Sequence, residues 1–128
     1  MVSAVARVRI NRLCSGHDCL LEFARHLFDE ALEQVGGDPS VRALLITANG
    51  KQFCAGGDIN SMSDSSRSLP AILEELIQPV HAAIALIGEL SIPVVSALNG
   101  PVGGGGIGLA LCADLVLAAE SMKLRGGY

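Results

Sequence analysis

Two glycine-rich turns, each preceded by an apolar run, constrain this chain more than any other feature. The first turn, residues 52–59 (QFCAGGDI), follows the run at 41–47, and the second, residues 99–108 (NGPVGGGGIG), follows the run at 92–98. Glycine adopts backbone angles that other residues avoid and leaves no side chain over the peptide N–H, so a ligand atom can reach the main chain. The pattern predicts that each turn directs one amide at the same ligand oxygen, as in an oxyanion hole, where losing one donor typically costs about 3–4 kcal/mol of barrier.

The spacing of apolar residues predicts alternating strands and helices, and therefore an α/β fold. Residues 4–10 alternate apolar and basic side chains, which is typical of a strand, whereas apolar residues recur at helical spacing from 18 to 35. This order favours a right-handed crossover between parallel strands. The other predicted elements are a strand at 41–47, a candidate mobile flap at 60–68, a helix at 69–90 with Pro79 inside it, a strand at 92–98, a short helix at 104–113, a buried strand at 115–119 and the start of another strand at 122–125.

Composition narrows the class of protein. Of the 128 residues, 50% are hydrophobic and 17% charged, which predicts a packed core in a chain that forms one small domain or part of a larger one. The net charge of −4 and the low aromatic content of 3% argue against binding to nucleic acid. The chain has neither an uninterrupted apolar run approaching the roughly 20 residues that span a bilayer nor the pattern of a signal peptide. We therefore expect a soluble, cytoplasmic protein without a membrane partner.

Cysteine and histidine residues do not form a metal-binding pattern in the sequence. No C-x-x-C pair is present, and the histidines do not complete a zinc spacing. The sequence predicts no metal, and reduced thiols in the core. The residues concerned are Cys14, Cys19, Cys54, Cys112, His17, His26 and His81.

The second turn also contains a dinucleotide-binding pattern, because Gly103, Gly105 and Gly108 match G-x-G-x-x-G between a strand and a helix. In that fold the first glycine follows the strand directly, and a sizeable helix precedes an acidic residue about 20 positions on. Here residues 99–102 intervene, and Glu120 comes early after a helix of about two turns. A nucleotide-binding half-domain is therefore a weaker alternative.

Six sequence blocks, in order, resemble the crotonase (enoyl-CoA hydratase/isomerase) superfamily. This resemblance implies an α/β fold built as a superhelical spiral of ββα units, apparently truncated, with residues 1–128 as the N-terminal part of a single domain. It also implies an acyl thioester of coenzyme A as substrate and no separate cofactor. The blocks are Asn11-Arg12, residues 41–47 (VRALLIT), 53–59 (FCAGGDI), 93–100 (PVVSALNG), 104–106 (GGG) and 112–119 (CADLVLAA).

The resemblance assigns roles to both glycine turns. The amides of Gly57 and Gly105 are expected to form the oxyanion hole that holds the thioester carbonyl. Polarising that carbonyl stabilises an enolate-like state, so that a base can move a proton or water can add to the acyl chain. The residues expected to line the acyl-CoA pocket beside this pair are Ala55, Gly56, Asp58 and Ile59.

Hydratases of this family use two glutamates as proton carriers, and neither is expected in this chain. The first aligns with Gly108, and the second lies in a segment beyond Tyr128. The substitution favours a double-bond isomerase, or another enzyme with one carboxylate, over a two-glutamate hydratase. A catalytically inactive acyl-CoA-binding or assembly module is the alternative. Family resemblance also suggests a homo-oligomer, a trimer or a hexamer.

Several polar residues have structural explanations that we prefer to catalytic ones. Asp58 and Asp114 are expected to cap or fix loops, and His81 is expected to pack or to face solvent in the long helix. At the position where relatives carry a basic residue near the phosphates of coenzyme A this chain has Gly16, so Arg12 or Arg25 is expected to substitute for it.

Overall fold

The computed structural model describes residues 5–10, 35, 37–57, 62–63 and 66–126, with backbone alone for the first of these ranges. Apart from Val35, the predicted helix at 18–35 lies outside the described residues, and of the candidate flap at 60–68 only residues 62–63 and 66–68 are described. The elements in chain order are β1 (Val5–Ile10), β2 (Ala43–Ala48), α1 (Leu69–Glu89), β3 (Val94–Leu98), β4 (Val102–Gly103), α2 (Gly106–Leu111), β5 (Leu115–Ala118) and β6 (Leu124–Arg125).

Four of the strands form one parallel sheet in the order β1-β2-β3-β5. The central strands are the two apolar runs that precede the glycine turns. Along β2 and β3 buried residues alternate with half-buried ones, so both faces of these strands are largely covered. This burial on both sides is typical of parallel sheets, and it explains why the runs are apolar almost throughout.

A second sheet explains the spiral. Strands β4 and β6 pair in parallel, and Cys54 forms a single parallel bridge to Val102 of β4. Each unit of the chain therefore adds one strand to the large sheet and one strand or bridge to the small sheet. The three units are β2, Cys54 and α1, then β3, β4 and α2, then β5 and β6, and a helix completes the first two of them. The described residues thus form an α/β superhelix of ββα units, as the resemblance implied.

Helices α1 and α2 cover one side of the large sheet. Val80, Ala83 and Ile87 recur at helical spacing on α1 and are buried in the same apolar cluster as Leu44 and Ile46 of β2. Full burial of a Val, Leu or Ile side chain contributes about 1.5–3 kcal/mol. The sheet and the helices therefore fix the ends of β2 and β3, where the glycine turns begin.

Helix α1 begins with Pro70 in its first turn and continues through Pro79 to Glu89. It is the one helix among the described residues that is long and apolar enough to cross a membrane by length and composition, with a hydropathy of 1.4 over its most apolar stretch. A core helix of a soluble protein meets the same criterion, and α1 has a buried stripe against the sheet. The expectation that no membrane is involved is left as a prediction.

Strand β5 forms as predicted, but the prediction that it is buried is wrong. All four of its residues are exposed, Leu115 by 62% and Leu117 by 64%. The strand lies at the end of the sheet, so within the described part of the chain its outer edge pairs with no other strand. The apolar sequence specified a strand, but it could not specify whether another element covers it.

Candidate active site

The two glycine turns lie side by side and are joined by main-chain hydrogen bonds. The Phe53 N–H donates to the Pro101 carbonyl oxygen at 3.1 Å, and the Gly103 N–H donates to the Cys54 oxygen at 2.8 Å. The parallel bridge between Cys54 and Val102 lies between these bonds. The turns therefore continue, beyond the large sheet, the parallel pairing of the strands that precede them.

Gly56 is the point of closest approach between the turns. Its φ angle of +97° lies in a region that residues with a side chain rarely adopt. A Cβ atom placed on Gly56 would lie 3.0 Å from the Gly103 oxygen and 3.5 Å from the Gly105 nitrogen. A side chain at this position would thus be strained and would push the second turn away. The space beside Gly56, the residue next to Gly57, is therefore bordered by the Gly105 amide nitrogen.

In the second turn, two backbone N–H groups donate hydrogen bonds within the fold, and a third donates to no described residue. The Gly103 N–H bonds to Cys54, and the Gly104 N–H donates to the Arg125 oxygen at 3.1 Å. Gly104 has a φ of +51°, which turns the chain into α2. Gly105 is the N-cap of that helix, is exposed, and donates its N–H to no oxygen of a described residue.

The first turn presents a comparable donor. Gly57 is half-buried, and its N–H donates to no oxygen of a described residue. Beside it, Gly56 is buried and Ala55 is exposed, while Asp58 and Ile59 lie outside the described residues. Two unused amides on turns that touch through Gly56 can serve a single anionic or polarised oxygen.

Asn99 and Gly100 attach the second turn to the start of the first. The Asn99 side-chain amide donates to the Gly50 carbonyl oxygen at 2.7 Å. Gly100 is packed so tightly that a Cβ atom on it would lie 2.1 Å from the Lys51 oxygen. In the sequence, this Asn-Gly pair was noted only as part of a family block. Its position directly after a buried strand is the signal that could have indicated its role in attaching the turns.

Beneath the turns, Gly106 of α2 packs on Cys54. A Cβ atom on Gly106 would lie 2.8 Å from the Cys54 Sγ atom and 2.9 Å from its Cβ atom. Cys54 is 2% exposed, which confirms that it is a small buried residue. Cys112 is half-buried, and burial raises the pKa of its thiol to about 11, so this thiol is not an activated nucleophile at neutral pH.

The described residues around the turns offer few proton carriers. Gly108 is exposed on α2, and a Cβ atom on it would lie 3.2 Å from the Ile84 Cδ1 atom of α1. Glu75 is exposed and bonds to Arg67, which holds the pKa of that carboxyl below its usual value. His81 is exposed on α1. No group of three or more His, Cys, Asp or Glu residues that could hold a metal ion occurs among the described residues.

Comparison with known proteins identifies the family. The sequence model of the family "Enoyl-CoA hydratase/isomerase" matches residues 3–125. The chain is 37% identical over 95 residues to a 1,2-epoxyphenylacetyl-CoA isomerase of Escherichia coli, covering 73% of this chain and 36% of that protein. It is 36% identical over 104 residues to a "Probable enoyl-CoA hydratase" of Rhodobacter capsulatus, covering 81% and 38%. The chain therefore belongs to the enoyl-CoA hydratase/isomerase family, the crotonase superfamily, as its sequence blocks predicted.

Solved structures support the same conclusion and show how much of the fold is present. The crystal structure of an enoyl-CoA hydratase from Bacillus anthracis superposes with a TM-score of 0.81 at 26% identity, covering 96% of this chain and 46% of that one. The chain thus spans about half the length of that structure and 36–38% of the two relatives above. These matches support the enoyl-CoA hydratase/isomerase family and give no support to the dinucleotide alternative.

Proposed function

We propose that the amides of Gly57 and Gly105 bind the carbonyl oxygen of a coenzyme A thioester and stabilise the enolate formed from it. The observation that carries this proposal is the close approach of the two turns at Gly56. A Cβ atom placed on Gly56 would lie 3.5 Å from the Gly105 nitrogen. Strands that end side by side, glycine at the point of contact and two unused N–H groups are what an oxyanion hole needs. Ala55, Gly56, Asp58 and Ile59 would border the acyl chain in this arrangement.

For the reaction, we propose double-bond isomerisation or another chemistry that needs a single carboxylate. Hydration by two glutamates requires an acid and a base within hydrogen-bond reach of the substrate. Helix α2 carries no carboxylate at Gly108, the position that corresponds to the first of them. The two relatives named above are an isomerase and a probable hydratase, so the glycine at position 108 alone supports this choice. No cofactor beyond the coenzyme A of the substrate is required, and a cytoplasmic trimer or hexamer is left as a prediction.

A thioester-binding module without turnover is the second candidate, and the glycine at position 108 is the observation that favours it. The two candidates separate when turnover of 2-enoyl-CoA and 3-enoyl-CoA is followed by ultraviolet absorbance and binding is measured in parallel. Turnover supports the enzyme, and binding alone supports the module. A chain that neither binds nor turns over any of the thioesters would refute both candidates.

The role of Gly105 is tested by replacing it with proline. The φ of Gly105 is −61°, which proline adopts, so Gly105→Pro removes the N–H at a backbone angle that proline tolerates. We expect thioester affinity or turnover to fall at least about tenfold, which corresponds to about 1.4 kcal/mol. Gly105→Ala is the matched control, since it adds a side chain and keeps the donor. Equal losses in both variants would show a steric effect, and an unchanged Gly105→Pro protein would exclude this amide.

A further inference from the structure

The hydrogen bond from Asn99 lies where both glycine turns leave the large sheet. Asn99 directly follows β3, and Gly50 lies two residues after the end of β2, in a tight turn with a φ of +85°. The Asn99 Nδ2 atom lies 2.7 Å from the Gly50 oxygen. This bond links the two chain segments just beyond the point where strand pairing between β2 and β3 stops.

From this bond onward, a continuous series of close contacts leads to the unused amides. Gly100 lies against Lys51, then Phe53 bonds to Pro101, and then Gly103 bonds to Cys54. The series ends where Gly56 meets Gly105. The two segments are joined by two main-chain hydrogen bonds and leave no room for a side chain on Gly100 or Gly56, so a shift of the first turn at its Gly50 end should reach the donor end.

The environment of the side chain indicates that Asn99 contributes more to the position of the turns than to stability. Its Oδ1 atom is buried and has no hydrogen-bond partner among the described residues. Rotating the amide by half a turn would place Oδ1 against the Gly50 oxygen, so the contact fixes Nδ2 as the donor. A buried oxygen without a partner costs about 1–3 kcal/mol, similar to or more than what one ordinary hydrogen bond contributes.

We propose that Asn99 is a positioning residue, which sets the separation of the Gly57 and Gly105 donors through its bond to Gly50. The inference rests on the proposed function, because it concerns the same thioester carbonyl. A displacement of about 1 Å in a reacting group can cost about 100-fold in rate. The bond therefore mainly governs how strongly the bound carbonyl is polarised. It has less effect on whether the thioester binds.

The test uses an aryl-acrylic thioester of coenzyme A, whose absorbance moves to longer wavelength when its carbonyl is polarised. The variant is Asn99→Leu, which has a similar size and removes both the donor and the unpaired oxygen. Asn99→Asp, which has the same shape and accepts but does not donate when ionised, takes its place if the leucine variant does not fold. The matched control is Thr47→Val, because the Thr47 Oγ1 atom donates to the Ala97 oxygen at 3.2 Å and so links the same two strands within the large sheet, before the turns begin.

At saturating thioester we expect the wild-type chain to show the shift, Asn99→Leu to lose about half of it or more, and Thr47→Val to keep nearly all of it. The Tm of Asn99→Leu is expected to differ little from that of the wild type. An undiminished shift in Asn99→Leu overturns the positioning role and leaves the proposed function intact. Equal losses of shift and of Tm in both variants also overturn it, since that result is purely structural. No shift in wild-type chain that binds the thioester overturns the proposed function itself.

Discussion

The same substitution at two neighbouring glycines of α2 should have opposite effects on stability. Gly106→Ala places a methyl group 2.8 Å from the Cys54 Sγ atom and 2.9 Å from its Cβ atom, and both residues are buried. Gly108→Ala places the same group 3.2 Å from Ile84 Cδ1, the end of a flexible side chain, on an exposed face. The first methyl group has no room without a shift of the first turn, whereas the second needs only a small rotation of Ile84.

The magnitudes follow from packing and helix propensity. Carbon atoms in favourable contact lie about 3.5–4.0 Å apart, so the methyl group on Gly106 overlaps Cys54 and should cost about 1–3 kcal/mol. Replacing glycine by alanine in a helix contributes at most about 1 kcal/mol in the other direction. We therefore expect Gly106→Ala to lower the free energy of unfolding by about 1–2 kcal/mol and Gly108→Ala to raise it by up to about 1 kcal/mol.

Urea denaturation followed by circular dichroism, together with Tm, measures both variants against the wild-type chain. One kcal/mol corresponds to about 2–8 °C in domains of 60–250 residues, so the two Tm values should differ by at least about 2 °C. Cys54→Gly removes both atoms that overlap the methyl group, and in the double variant it should make Gly106→Ala less harmful. Gly106→Ala with wild-type stability, or equal destabilisation at both glycines, would refute the packing of α2 on Cys54.

Two further predictions concern side chains outside the glycine turns. The Asp114 Oδ2 atom accepts a hydrogen bond from the N–H of buried Val94 at 2.8 Å, so Asp114→Ala should lower the free energy of unfolding by about 1–3 kcal/mol by leaving that N–H unpaired. Asp114→Asn keeps an acceptor and should cost less in the same denaturation assay. Equal losses of stability in the two variants would contradict this prediction. Burial raises the pKa of Cys112 from 9.0 to about 11, so its thiolate fraction at pH 8 falls about 100-fold. Alkylation of Cys112, mapped by peptide mass spectrometry, should therefore be slower by at least that factor in the folded chain than in urea. Equal alkylation rates in the two conditions would contradict the burial of this thiol.

Periodicity predicted most of the fold, because the apolar runs follow local rules. The predicted strand at 92–98 is observed as Val94–Leu98, and the predicted helix at 69–90 as Leu69–Glu89. The short strand β4 was missed, because Val102–Gly103 is a strand only through its partners in distant parts of the chain. Exposure of β5 was missed for a related reason, since burial depends on what lies above a strand and not on its own residues.

The site could be predicted as two glycine turns but not as a geometry. Glycine spacing and family resemblance indicated Gly57 and Gly105, whereas the contact through Gly56 and the use of the Gly104 amide by Arg125 depend on tertiary packing. Asn99 illustrates the same limit. Its bond to Gly50 joins residues 49 positions apart, a separation at which no local pattern applies.

Isotope-edited infrared spectroscopy of a bound acyl-CoA with a ¹³C-labelled thioester carbonyl tests the central claim most directly. Two converging N–H donors weaken the C=O bond, so its stretching frequency should be lower in the complex than in water. Gly105→Pro should move the frequency back towards the value in water, and Gly105→Ala should not. A carbonyl frequency in the wild-type complex equal to that in water would contradict the proposal that Gly57 and Gly105 form an oxyanion hole.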